Sequence, residues 1–243
     1  MADILYTVEK ACVMCDKKFT VTKVRSRLSM LKQDSDFCTY YKEINPYYYD
    51  VWVCPHCGYA AQDSYFEAPP PNTATIRKFL ADRDVKVNFS GQRTRQDALT
   101  TYKLAIFFAD MAGTLPSRLA GLYLKLAWLY REGGLPDEEE AMLDQARQQY
   151  EKAFLKERTP IGNMSQLTLE YLIGELLRRT GHLPEALNYL GKVVGNPQAK
   201  NEKRILEMAR DSWTLARDAR KDQLAQPGQG DKEDKEGEDK EDK

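Results

Sequence analysis

Two Cys-x-x-Cys pairs, Cys12-Val-Met-Cys15 and Cys54-Pro-His-Cys57, constrain this chain more than any other feature. Two residues between cysteines let a tight turn aim both sulfurs at one ion, and two such turns complete a tetrahedron of thiolates at about 2.3 Å from the metal. Gly58 suits the second turn, because backbone beside such sulfurs needs positive φ, which glycine adopts freely. Asp16 holds the equivalent place in the first, and aspartate tolerates that conformation better than most residues. The expected cofactor is one structural zinc ion on Cys12, Cys15, Cys54 and Cys57. A closed set of four thiolates leaves no position for water or substrate, so the metal stabilises rather than catalyses. A redox dithiol or a set of inert buried thiols are the alternatives that the same residues allow.

The interval between Cys15 and Cys54 is 38 residues, against the roughly 15–20 common between zinc knuckles, so extra structure must be inserted there. Two runs beside the knuckles, Phe19–Val24 and Tyr47–Val53, are rich in aromatic and β-branched residues and read as strands. Residues 1–66 are therefore a small β-rich, zinc-ribbon-like domain. Glu67-Ala-Pro-Pro-Pro-Asn72 excludes regular helix, since each proline lacks an amide donor and restricts the residue before it. Residues 67–91 read as a Pro-rich linker and connecting segment.

Helical periodicity follows. From Tyr171, small Gly174 is succeeded by Gly181, Ala186, Leu190 and Val193, the offsets of a tetratricopeptide repeat. Tightly packed antiparallel helices require a residue with little side chain where they cross. The register recurs at Tyr123, Leu126, Ala127, Tyr130 and Gly134, then at Ala146, Tyr150 and Ala153, with a turn that reads seven residues longer through Leu135–Ala141. Ala98, Tyr102 and Ala105 form another second-helix fragment. Glu202–Leu224 has one apolar stripe, as a capping helix would. Residues 92–224 are thus expected to be an all-α tetratricopeptide-like array, giving the chain an α+β fold class; an ordinary helical bundle is the alternative.

Residues 225–243 read as a disordered acidic tail: from Asp231 onward eight acids face four lysines, a net −4 that leaves +3 on the remainder. The sequence lacks a signal-peptide pattern at its start and any apolar run of about 18 residues, so a cytoplasmic location is expected. Five cysteines, four of them in pairs, fit metal binding in a reducing compartment.

Catalytic chemistry is not visible. His56 and His182 are the only histidines, neither beside a nucleophile at motif spacing. Cys38 is read as a buried structural thiol, with a nucleophile paired to His56 or a substitute zinc ligand as lesser alternatives. Asp34 and Asp36 read as turn or cap residues rather than a cation site. Lys17, Lys18, Lys23, Arg25, Arg27 and Lys32, uninterrupted by acids, raise the possibility of nucleic-acid contact, but a solvated face explains them more simply.

The run from Asp34 through Pro46, continued by Tyr49-Asp-Val-Trp-Val-Cys-Pro-His-Cys-Gly-Tyr59, resembles a bacterial family catalogued as domain of unknown function 2225. The resemblance implies a bacterial cytosolic protein joining a two-knuckle region to a tetratricopeptide-like remainder, and supports pairing the knuckles of Cys12, Cys15, Cys54 and Cys57. It implies no activity and no catalytic residue, and Cys38 falls inside the similar stretch without a role. The expected function is a non-enzymatic adaptor whose repeats bind a protein or peptide partner, with a nucleic-acid-associated regulator as the alternative.

Overall fold

A computed structural model of the chain describes residues 4–81, 85 and 87–225. The expected disordered tail, from residue 226 onward, lies outside the described residues. The architecture is α+β: three antiparallel strand pairs, then helices. Strands β1 (Leu5–Ala11) and β2 (Lys18–Val24) pair with Val8 opposite Val21. Strands β3 (Met30–Gln33) and β4 (Thr39–Tyr41) form a hairpin with an irregular register near Met30. Strands β5 (Val51–Val53) and β6 (Ala60–Gln62) form the third pair. Each knuckle is the turn of a strand pair, and the β3–β4 hairpin fills the long interval between them.

The run Tyr47–Val53 is only partly a strand. Asn45 accepts a hydrogen bond on Oδ1 from the Tyr47 amide at 3.0 Å, and Pro46–Tyr49 winds as a 3-10 turn before β5 starts at Val51. The Asn-Pro turn signal outweighs the β propensity of three consecutive tyrosines.

A short helix α1 (Asp63–Phe66) precedes the prolines, and α2 (Thr73–Ala81) follows them within the expected connecting segment. Helix α3 (Arg95–Ala112) starts at a reciprocal cap: Thr94 Oγ1 accepts from the Asp97 amide and Asp97 accepts from the Thr94 amide. Such a cap stabilises a helix by about 1 kcal/mol. Next come α4 (Pro116–Glu132), α5 (Pro136–Lys156), α6 (Gln166–Arg179), α7 (Leu183–Gly195) and α8 (Lys203–Ala225).

The helices pack in sequential antiparallel fashion, α4 on α5 and α6 on α7, with α8 closing against α7 and α6. Gly174 lies at a helix crossing: a Cβ there would stand 2.8 Å from Leu190 Cγ. Gly134 and Gly181, at corresponding turns, have φ of 65° and 75°. The α4–α5 turn is not seven residues longer than the α6–α7 turn. Helix α5 begins at Pro136, straight after Gly134-Leu135, so the extra residues lengthen the helix, 21 residues against 13 in α7. The acidic Asp137, Glu138 and Glu139 suit that extension, since they occupy its first turn, where the helix dipole favours negative charge.

Two apolar clusters make the core. The first joins Phe19, Val21, Trp52, Tyr59 and Phe66 from the strand region to Ile76, Tyr102, Ala105, Phe108 and Leu126 from the helices. Strand and helix side chains therefore share one interior across the proline run. The second cluster fills the helical array and takes in Cys38 from the hairpin.

Candidate metal centre

The two knuckles have the same backbone geometry. The Asp16 amide donates to Cys12 O at 2.8 Å, and the Gly58 amide to Cys54 O at 2.8 Å. The amides of Cys12 and Cys54 donate to Lys17 O and Tyr59 O at 3.0 and 2.9 Å, closing each turn onto its outgoing strand. Asp16 and Gly58 both have positive φ, 57° and 79°, as the residue types at those positions require. The Met14 amide also points at Cys12 Sγ, 3.4 Å away.

The four sulfurs converge. Cys12 Sγ lies 3.7 Å from Cys57 Sγ, and Cys15 Sγ lies 3.7 Å from Cys54 Sγ. All four sulfurs fall within 4.8 Å of one another. None of these separations is a disulfide, whose sulfurs stand about 2.05 Å apart, and all five cysteines are free thiols. A regular tetrahedron of sulfurs about 2.3 Å from a metal has edges of about 3.8 Å, so the donor set and its spacing fit a metal ion. Cys12, Cys54 and Cys57 are buried and Cys15 is half-buried.

Hydrogen bonding from Cys12, then Cys57, lowers the Cys54 thiol, so the cluster carries a thiolate readily. Cys12 is raised chiefly by its bond with Cys54, and Cys57 chiefly by its bond with Cys12. Protons and a metal therefore compete for the same sulfurs, and metal affinity should rise with pH.

The sequence model of a family described as an uncharacterised protein conserved in bacteria, DUF2225, matches residues 5–216. The chain belongs to this family. The match spans both knuckles of the DUF2225 chain, the hairpin between them and the helices through most of α8. No curated protein and no solved structure matches it.

The other residues singled out in the sequence lie apart from the sulfurs. His56 is exposed, with Nε2 3.2 Å from Lys18 O. His182 is exposed at the α6–α7 turn, its Nδ1 3.0 Å from Thr180 Oγ1. Cys38 sits in the helical cluster, where burial, then the charge of Asp36, pushes its thiol up to about 12. Such a thiol stays protonated at neutral pH and is a poor nucleophile. Among the basic residues, Lys18 pairs with Glu9 at 2.9 Å, Lys23 approaches Asp63 at 3.9 Å, and Lys32 meets Asp34 at 3.2 Å. Lys23 also lies over the Trp52 ring and Lys32 over Tyr40.

Asp34 and Asp36 are held by arginine rather than arranged around a cation. Arg131 Nη1 donates to Asp34 Oδ2 at 3.0 Å and to Asp36 Oδ1 at 3.1 Å, while Nη2 donates to Asp36 Oδ2 at 2.5 Å. Ser35 Oγ donates to Glu175 Oε1 at 2.6 Å and accepts from Arg179 Nη2 at 2.9 Å, and Tyr171 donates its hydroxyl to Ser35 O. The hairpin tip is thereby bound into the helical array. Sequence reasoning missed Arg131, Glu175 and Arg179, because each reads as an ordinary charge on a solvated helix face.

Among the described residues, no helix is long and apolar enough to cross a membrane.

Proposed function

We propose that this DUF2225 chain is a zinc-stapled, non-enzymatic scaffold whose tetratricopeptide-like helices bind a partner protein. The observation that carries the repeat reading is the close crossing at Gly174, within a succession of antiparallel pairs, α4–α5 and α6–α7, closed by α8. Helical repeats of this kind present broad side-chain surfaces and use them chiefly for protein and peptide recognition. Four converging thiolates favour zinc or iron over hard cations, and a closed tetrahedron with no open position suits structural zinc. The hairpin tip supports the same reading from another side: the helices already hold an acidic turn, Asp34–Cys38, through Arg131, Arg179 and Tyr171.

A photoreactive amino acid placed at Leu155 on α5 or Leu215 on α8, both exposed, tests the partner in cells. Expected is one protein crosslinked reproducibly and co-purifying with the unmodified chain at fixed stoichiometry. A chain that purifies alone and crosslinks to nothing reproducible argues against the scaffold. Elemental analysis separates zinc from iron.

A further inference from the structure

The geometry points to a binding site for an amphipathic anion between the proline run and helices α3 and α4, with a hydrocarbon chain inside and a carboxylate or phosphate head at Arg118. A cavity of about 360 Å³ lies there, at the lower end of the range that small-molecule sites occupy. It exists because α3 turns Ala105, Ala109 and Ala112, successive positions of one helical stripe, toward Pro69, Pro70 and Pro71. Phe108 and Leu122 supply larger apolar walls. Concave sites lined mainly by apolar side chains take apolar guests.

The walls also select against a peptide. A docked backbone needs partners for its amides and carbonyls, whereas the wall formed by Pro69 to Pro71, Ala105, Ala109, Ala112, Phe108 and Leu122 offers no side-chain donor or acceptor, the polar groups of Gln62 and Tyr65 lying where the cavity meets the groove. The Thr114 hydroxyl is already donated to Ala109 O at 3.1 Å. A hydrocarbon chain makes no such demand.

The mouth supplies the charge. Gln62, Tyr65, Leu115 and Arg118 belong both to the cavity and to an adjoining groove of about 620 Å³. The Arg118 guanidinium lies 3.9 Å from the centroid of the Tyr65 ring and has no ion pair among the described residues. Lys156 and Arg158 line the same groove and also lack one. The other charged groups there are engaged: Glu157 accepts from the Ser117 amide and hydroxyl at 2.9 and 2.6 Å, and Lys125 pairs with Asp50. With Glu157 turned onto Ser117, Arg118, Lys156 and Arg158 still leave an excess of positive charge at the open end of an apolar cavity, which is complementary to an anionic head on an apolar tail. This site stands independently of the proposed partner protein.

Titration calorimetry of the full metal-loaded chain with decanoate and with decyl phosphate tests it, with decyltrimethylammonium as the cationic control. Saturable binding of at least one anion at one site per chain is expected, and the preferred probe assigns the head group. Arg118→Glu should weaken that binding at least tenfold, and Ala109→Phe, which fills the cavity, should abolish it. Arg220→Glu, the same charge change at the far end of α8, should leave it intact. Equal binding of the cationic probe, non-saturating uptake, no binding of either anion, or an unchanged affinity in Arg118→Glu would each overturn the assignment. Arg118 is on the surface side of α4, so that variant remains informative even if Ala109→Phe does not fold.

Discussion

Trp128 donates its indole N–H to Asp36 Oδ2 at 3.0 Å, joining residues 92 apart in sequence. Arg131, three residues further along α4, grips the same carboxylate from the side. Asp36 is fully buried, and its charge is made tolerable chiefly by these donors, with Arg179 3.8 Å away on the other oxygen. Removing one partner of a buried pair costs about 3–5 kcal/mol, whereas replacing both with apolar groups can be nearly neutral. Arg131→Met is therefore expected to lower unfolding free energy by about 3 kcal/mol, and Asp36→Leu with Arg131→Met by less, the remaining loss coming from Asp34 and Glu139, which lose their arginine, and from the Trp128 N–H, which loses its acceptor. Urea unfolding of the single and double variants measures the difference.

Glu175 gives the array an acid limit. Burial alone would raise its pKa, but the hydrogen bond and charge of Arg178, the Ser35 hydroxyl and the charge of Arg179 outweigh burial and hold it below the ordinary 4.5. A lowered folded-state pKa means that the group's stabilisation is complete above the unfolded value and is lost as pH falls through the folded one. Stability should thus decline as pH drops below about 4.5. Glu175→Gln should flatten part of that decline while lowering stability at neutral pH by about 3 kcal/mol. Asp34, also held low, accounts for some of the remaining slope. Urea midpoints between neutral and acid pH give the comparison.

For the metal, the purified chain should contain about one zinc per molecule. Cys54→Ser should reduce zinc content and stability together, since an incomplete tetrahedron loses affinity that is coupled to folding. Cys38→Ser should keep the zinc while costing about 1–2 kcal/mol for a hydroxyl placed among apolar neighbours. Retention of zinc by Cys54→Ser with loss from Cys38→Ser would refute the ligand assignment.

Substitutions at two glycines of the helical array should fail for different reasons. Gly174→Ala brings a Cβ to 2.8 Å from Leu190 Cγ and 3.2 Å from Tyr189 Cβ, and such overpacking costs about 1–3 kcal/mol. At Gly181 nothing stands within 4 Å, but φ is 75°. Gly181→Ala should cost about 1 kcal/mol through backbone strain, and Gly181→Asn less, because asparagine accepts left-handed backbone. At Gly174 the Asn variant should be worse than Ala. Thermal unfolding of the four variants distinguishes crowding from strain.

The knuckles were legible because metal chemistry fixes both residue type and spacing: Cys12, Cys15, Cys54 and Cys57 converge, and Asp16 and Gly58 take the backbone form expected of them. That helices follow the proline run was legible from their apolar periodicity, and the close crossing at Gly174 from its small size. The start of α5 was not, because Pro136 ends one helix or begins another equally well. The docking of the hairpin left no signal. Asp36 is a residue type that belongs on surfaces, and its burial is made tolerable by Arg131, 95 residues away; Glu175 is held by Arg178 and Arg179 on its own helix, and only its bond to Ser35, 140 residues away, ties it to the hairpin. Nor could the cavity beside Arg118 be read, since alanines at helical spacing usually signal tight packing rather than space.

The separation between the hairpin and the groups that satisfy it has a consequence for synthesis. A chain emerging from the ribosome presents Cys12, Cys15, Cys54 and Cys57 before any residue of α4 to α8 emerges. A metal taken up by these sulfurs would be held before the helices form and would tie the two strand pairs together as a seed. The acids of the hairpin tip meanwhile remain in water until Trp128 and Arg131 arrive, and Ser35 waits longer still, for Glu175. Pairings this distant in sequence are slow to close, and a nascent chain arrested before α4 displays its acidic tip to the solvent.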